Sequence, residues 1–389
     1  MRFHLGVAAV LLAVLTGCAS TPAPVTATAK AGQTGQAGEP SHPATELAPV
    51  VVSPYTDSEL AARFEKGRSL LLAEKYKEAA ELFDQLVRLS PEGEVAAPSL
   101  YNGALSHEGL GERIEAIQRY DDLLKRFPGH VVARGALFRL ARLHGYLEHW
   151  SALADNADKI LALPDLTVLE AIEAHGEKAL GLVEQDKLDE ATKEVGKARD
   201  LIENNRLGEA GKPPVELAEV SFALGEVRRK KSEKIVFLPV PPNFGELLEQ
   251  RCQALLDAQN AYVEAMRAYD AHWSAMAGYR VGQLYQQLHR DVMQVPPPEK
   301  ADTLQRKQLF EGAMRLRYRV LLEKGLAMME GTVRLGERTG EDSLWVSRAR
   351  EAKQDLARAL EDEKSALAKL PFTEAEIQEA LAKLKKPVP

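Results

Sequence analysis

The chain is 389 residues long with a formal net charge of −7; 28% of its residues are charged and 6% aromatic. That mildly acidic balance argues against nucleic acid or anionic lipid as the main partner, because both need a positive surface. Ala, Leu, Glu, Lys and Arg dominate the body, a composition that favours stacked helices.

At the N-terminus, Arg2 precedes an apolar run of eleven, Leu5 to Leu15. A bilayer span needs about 20 apolar residues, so the run fits the core of a secretory signal instead. Leu15-Thr16-Gly17-Cys18 follows and holds one of the two cysteines. This stretch resembles the bacterial lipobox, in which the cysteine thiol is alkylated with diacylglycerol, the chain is cleaved and the new α-amine is acylated. The resemblance implies a signal peptide over residues 1–17 and lipidation at Cys18, with diacylglycerol and an N-acyl chain as the only attached groups. Several acyl chains hold a protein where a single one holds it marginally. Ala19 rather than aspartate follows the cysteine, which implies the outer membrane, on its periplasmic face. Residues 18–55 are small, polar and proline-rich and cannot bury enough apolar surface to offset their ordering entropy, so they are expected to form a disordered tether. Cys252 is left without a partner in the chain and, among apolar neighbours, is expected to be a buried thiol.

The body opens with two helices joined near Glu74-Lys75. Leu60, Phe64, Gly67 and Leu70 form one apolar stripe, and Ala79, Leu82, Phe83, Leu86 and Val87 form the next, stopped by Pro91. The pattern recurs. Ala79, Ala116, Ala152 and Ala191 stand 37, 36 and 39 residues apart; Phe83, Tyr120 and Val195 follow their alanines by four; Pro91, Pro128 and Pro164 close the units. Gly67, Ala104 and Ala179 supply a small residue in the first helix, with Leu140 at that place in the third unit and Asn156 in place of its aromatic. Glu203 stands where a fourth proline is expected. This alternation of small and large residues resembles the tetratricopeptide (TPR) repeat, with a period longer than that family's usual one. The resemblance implies an all-α, TPR-like helical-hairpin solenoid with four repeats over residues 56–204.

Beyond Asn205 the helical pattern loosens. Val215 to Lys234 reads as a helix with Gly225 at a crossing, and Ile235 to Gly245 as a proline-broken loop before a long helix. A further first-helix segment follows with Gly278 and Gly282, then a second proline loop at Gln294 to Lys300. Two irregular TPR-like hairpins are therefore expected over 205–340. Long helices over 302–338 and 342–370 lead into a short last one capped by Thr373 and Glu376, and residues 341–389 are expected to cap the array. Arg228 to Lys231 reads as the solvated end of a helix. Tyr262, Tyr269, Trp273, Tyr279 and Tyr285 read as core residues of a helix pair.

No metal-ligand or catalytic pattern stands out. His144 and His149 are five apart, which is wrong for a pair on one helical face, and neither a metalloprotease helix nor a nucleophile elbow occurs. The chain is therefore expected to be neither an enzyme nor a metal protein. A TPR plan implies that first helices line a peptide-binding groove, which assigns Phe64, Arg68, Tyr101, Glu108, Arg134 and His144 to it. The whole resembles TPR lipoproteins of outer-membrane assembly, secretion and gliding-motility complexes. That resemblance implies a protein–protein interaction scaffold whose partners are envelope proteins or extended peptides, with no nucleic acid. Two alternatives stand beside it: a client-binding accessory factor for outer-membrane protein insertion, and a cell-wall enzyme with an unrecognised site.

Overall fold

A left-handed residue, recurring at almost constant spacing, sets the architecture of the first four hairpins. Glu74, Gly111, Glu148 and Asp186 have φ of 57°, 77°, 60° and 63°. Each sits between two helices, and each turn is closed by the same backbone bond spanning six residues. Lys75 N–H donates to Leu70 O at 3.0 Å, Glu112 to His107 at 2.9 Å, His149 to His144 at 2.8 Å and Lys187 to Leu182 at 2.9 Å. Such a clip satisfies carbonyls that a helix end would leave unpaired.

The computed structural model describes residues 54–209 and 211–384. Among them are fourteen α-helices and no strand, an all-α fold built of TPR-like hairpins. The first three pairs are α1 (Asp57–Leu72) with α2 (Tyr76–Leu89), α3 (Ala96–Leu110) with α4 (Arg113–Arg126), and α5 (Val131–Tyr146) with α6 (Trp150–Leu161). The next three are α7 (Val168–Glu184) with α8 (Leu188–Asn204), α9 (Glu216–Glu233) with α10 (Phe244–Met266), and α11 (Ala271–Met293) with α12 (Leu304–Thr339). Then come α13 (Leu344–Ala368) and α14 (Glu374–Leu384). The expected signal peptide, Cys18 and nearly all of the expected tether lie outside the described residues.

The chain divides into two compact units, with the break between Ala162 and Leu163. The fourth hairpin, grouped with the first three by its sequence, therefore belongs with the later helices. The reason is close packing of α7 on α9: a Cβ placed on Gly176 would lie 3.1 Å from a Val220 methyl.

Counting from the turns corrects the third repeat. The small residue seven places before each turn is Gly67, Ala104, Ala141 and Ala179, so Ala141 and not Leu140 holds the crossing. Five places after each turn stand Ala79, Ala116, Leu153 and Ala191, all fully buried, whereas Ala152 is only half-buried. The large site nine places after is Phe83, Tyr120, Ala157 and Val195, and Asn156 lies one step off it. An alanine beside the true position had shifted the sequence alignment by one residue.

Where small meets large inside a pair, the reason is steric. A Cβ on Gly67 would come within 2.8 Å of the Phe83 ring. The same relation returns after the proline loops, where a Cβ on Gly225 would meet Tyr262 at 2.5 Å and one on Gly282 would meet Met329 at 2.7 Å. Where proline is missing after α8, Arg206 takes φ 52° and Leu207 N–H donates to Ile202 O at 3.0 Å, so a backbone clip ends the helix instead. The expected capping box is present: Glu376 accepts from Thr373 N–H at 2.7 Å, and Glu376 N–H donates to the Thr373 hydroxyl at 3.3 Å. Through α14, Ile377 is buried against α12, over Gly312. Of the aromatic series, Tyr262 and Tyr285 are buried, but Tyr269 is exposed because it occupies a left-handed turn with φ 55°. Cys252 is half-buried rather than buried, and that burial pushes its thiol above the ordinary range.

Two glycines on helices separate the close approach from ordinary helix preference. Gly196→Ala, with nothing within 4 Å of the new Cβ, is expected to stabilise the chain by about 0.5–1 kcal/mol. Gly225→Ala is expected to destabilise it by about 1–2 kcal/mol, because overpacking against the Tyr262 ring outweighs the same helical gain. Urea unfolding of the two variants checks both signs.

Candidate peptide-binding site

The strongest concentration of recognition chemistry among residues 54–162 is an open cleft where α3, α4 and α5 meet. It is lined by Glu108, Arg113, Arg139, Arg142, Leu143 and Tyr146 and has a volume of about 240 Å³. Three guanidinium groups and one carboxylate are among its lining residues, in a chain whose net charge is −7. Arg139 and Arg142 are three residues apart on α5 and Tyr146 four further on, so a basic-aromatic stripe runs down one side of that helix.

Glu108, Arg139 and Arg113 are each held by a partner. Glu108 accepts from Arg139 Nη1 at 3.1 Å on each carboxylate oxygen and from the Tyr120 hydroxyl at 2.6 Å. Tyr120 is fully buried; burial first and the Glu108 charge second push its hydroxyl pKa well above the ordinary value, so it stays a donor. Arg113 stacks over the Tyr146 ring with its guanidinium carbon 3.9 Å from the centroid. A stacked guanidinium keeps its in-plane N–H groups for a carboxylate, and the ring offers apolar contact.

Of the six residues assigned to a groove by sequence, Glu108 alone lines this cleft. Phe64 is 0% exposed and Tyr101 8%, so both are core residues. Phe64 packs edge-on against Phe83 at 5.7 Å, and Tyr101 against Tyr120 at 5.8 Å. Large rings on the first helices fill the space over small neighbours and cannot reach a ligand. Arg68 is ion-paired with Glu65 at 2.8 Å within its own helix, and Arg134 lies 5.6 Å from the Phe138 ring. His144 is 8% exposed and faces His149. Burial, then His149, then Lys159 lower its pKa to about 4, so the ring is uncharged at neutral pH. Arg113, Arg139, Arg142 and Tyr146 were the residues missed.

Within residues 163–384, the basic run Arg228 to Lys231 is not a solvated helix end. Arg229 is buried and donates to Glu226 at 2.7 Å; Arg228 donates to Asp257 O at 2.8 Å; Lys230 pairs with Glu184 at 3.9 Å; Lys231 donates to the Thr192 hydroxyl at 3.1 Å. Glu226 is 0% exposed and gathers Arg229, Arg280 at 2.9 Å and the Tyr262 hydroxyl at 2.5 Å. Glu184 completes the group, 3.7 Å from Arg229 and 3.8 Å from Arg280. Burial, together with its hydrogen bond to Glu226, pushes the Glu184 pKa up to about 7. Burial would also raise Glu226, but Arg280 and Arg229 outweigh it and hold that carboxyl down at about 2. One proton thus rests on Glu184 at mildly acidic pH, while Glu226 stays ionised between two arginines.

No family model matches the chain. No curated protein matches it either. Among solved structures, a tetratricopeptide repeat protein from Parabacteroides merdae is similar at 11% identity, with 77% of this chain and 99% of that one covered and a TM-score of 0.43. TPR-like repeats of a kinesin light chain from Podospora anserina are similar at 16% identity, over 52% of this chain and 97% of that one, with a TM-score of 0.36. Neither likeness bears on function.

The carboxyl pair makes stability depend on pH in two opposed ways. The folded state holds the Glu184 proton up to a pH of about 7, above the ordinary carboxylate value of 4.5, so that stabilisation declines as pH rises through this window. Glu226, held at about 2, adds stability above 4.5 that is lost as pH falls toward 2. Between pH 5 and 8, Glu184→Gln is expected to remove a decline of up to about 3 kcal/mol in unfolding free energy. Parallel urea titrations of wild type and variant, taken as a difference, check this; identical slopes would contradict it.

Proposed function

We propose that this chain is a non-enzymatic helical-repeat scaffold of a bacterial cell envelope, binding an extended acidic segment of a partner protein. The observation that carries the reading is the cleft of Arg113, Arg139 and Arg142 beside Tyr146. Guanidinium groups bind carboxylates through paired, charge-assisted hydrogen bonds, and a ring beside them adds desolvated contact area. An acidic partner also meets less repulsion at this cleft than elsewhere on a chain of charge −7, which favours docking there.

In the same reading the body is anchored by lipid on Cys18 at the periplasmic face of the outer membrane. The lipobox-like Leu15-Thr16-Gly17-Cys18 and the apolar run before it support that placement. Among the described residues no helix is long and apolar enough to cross a membrane, so a lipid at Cys18 would supply the attachment. Assembly, secretion and motility complexes are the settings that such a lipoprotein scaffold suits.

Two measurements test the two halves. Fluorescence anisotropy with a labelled Glu/Asp-rich peptide should show binding that weakens with salt and falls at least about tenfold in Arg142→Glu, about 1.4 kcal/mol, with helical circular dichroism unchanged. Equal affinity for a peptide with its acids replaced by glutamine would contradict the cleft. Cys18→Ser should leave a folded protein that no longer sediments with membranes; continued sedimentation after a high-salt wash would contradict the anchor.

A further inference from the structure

The turn between α5 and α6 brings two imidazoles together that a helix would keep apart. His144 lies in the last turn of α5 and His149 is the residue that caps α6. Glu148 between them takes φ 60°, and His149 N–H donates to His144 O at 2.8 Å. The chain therefore reverses tightly, and the two Nδ1 atoms end 3.2 Å apart with ring centroids 5.4 Å apart.

The neighbouring hairpin shows what this position is for when the chemistry differs. His107 and Glu112 occupy the corresponding places at the end of α3 and the cap of α4, and His107 Nδ1 lies 2.8 Å from the Glu112 carboxylate. There, a ring N–H has an anionic acceptor. In the third hairpin both members are imidazoles, so no carboxylate takes the proton. Without an ion, one Nδ1–H must donate to the other nitrogen. With both protons on Nε2, two lone pairs converge on one point instead.

That separation matches metal coordination. Zinc–nitrogen bonds are about 2.0–2.1 Å and zinc sites are tetrahedral, which sets two ligating nitrogens about 3.3 Å apart. We propose that His144 and His149 form a two-imidazole site for a divalent transition metal of the zinc and copper class, bound through both Nδ1 atoms. The backbone clip across the turn fixes both rings before the ion arrives, so little ordering entropy is lost on binding. His144 is buried and His149 exposed, which opens the site to solvent on one side. Among the described residues no third histidine, cysteine or carboxylate joins them, so water completes the coordination and the affinity is modest. Hard cations such as Mg²⁺ prefer oxygen ligands and are excluded. The bound ion ties the end of α5 to the start of α6. Leu143 and Tyr146, on either side of His144, line the arginine cleft, but the site does not depend on that cleft's having a partner.

Isothermal titration of the EDTA-stripped full chain with ZnCl₂, and with MgCl₂ as control, tests the site. One zinc ion per chain is expected, with no magnesium binding, and with ¹⁵N resonances of both Nδ1 atoms shifting on zinc addition. His149→Gln, an exposed substitution that leaves the core intact, should weaken zinc binding at least about tenfold at unchanged circular dichroism. His144→Asn should do the same where it folds; the His149 variant decides the matter where it does not. Absence of binding at millimolar zinc would overturn the site. So would unchanged stoichiometry and affinity in His149→Gln, which would mean an adventitious ion only.

Discussion

The close approach of two helices at a residue with almost no side chain is the constraint on which the remaining structure depends. Gly67 under Phe83, Gly225 under Tyr262 and Gly282 under Met329 leave no room for a single added carbon without movement. Because the backbones come this near, the large residue opposite can be wholly buried, and its contacts supply the dispersion and apolar burial that hold each hairpin. The left-handed turns follow from the same demand. Helices packed this tightly must be joined by very few residues, and Glu74, Glu148 and Asp186 accept a backbone conformation that costs about 1–2 kcal/mol each for a side-chain-bearing residue.

Much of this was legible in the sequence, because periodicity and stop signals are local. Recurring small residues, the prolines after α2, α4 and α6, both proline loops and the Thr373 cap each depend on a few neighbouring residues. What misled was a local coincidence: Ala152 sits beside the true position Leu153. A slip of one residue rotates the assignments within that hairpin by about 100° around the helix, while Ala179, Ala191 and Val195 of the next hairpin keep their places. That rotation put Leu140 on the small site in place of Ala141. Phe64 and Tyr101 were assigned to a groove by their placement on the first helices of the repeat. Their burial against Phe83 and Tyr120 is a matter of volume between helices, which no single-helix pattern displays.

The ion cluster was illegible for a different reason. Arg229 reads as a surface residue until Glu184 on α7, Tyr262 on α10 and Arg280 on α11 are brought around it and Glu226. Burying such a group costs desolvation energy that only well-placed partners offset, and removing one partner leaves a charge unpaired. The cluster is thus strict about how these four helices meet while adding little beyond what apolar packing would. His144 and His149 illustrate the same limit on a smaller scale, since five residues separate rings on one helix but unite them across a clipped turn.

A double-mutant cycle on Gly67 and Phe83 measures the steric constraint most directly, because both residues are apolar and neither touches the cleft. Gly67→Ala should destabilise the wild-type chain but become neutral or stabilising in the Phe83→Leu background, where the ring no longer occupies the space. A coupling of about 1 kcal/mol or more is the predicted result. Additive effects, with Gly67→Ala equally costly or equally harmless in both backgrounds, would mean that the helices do not meet there at all.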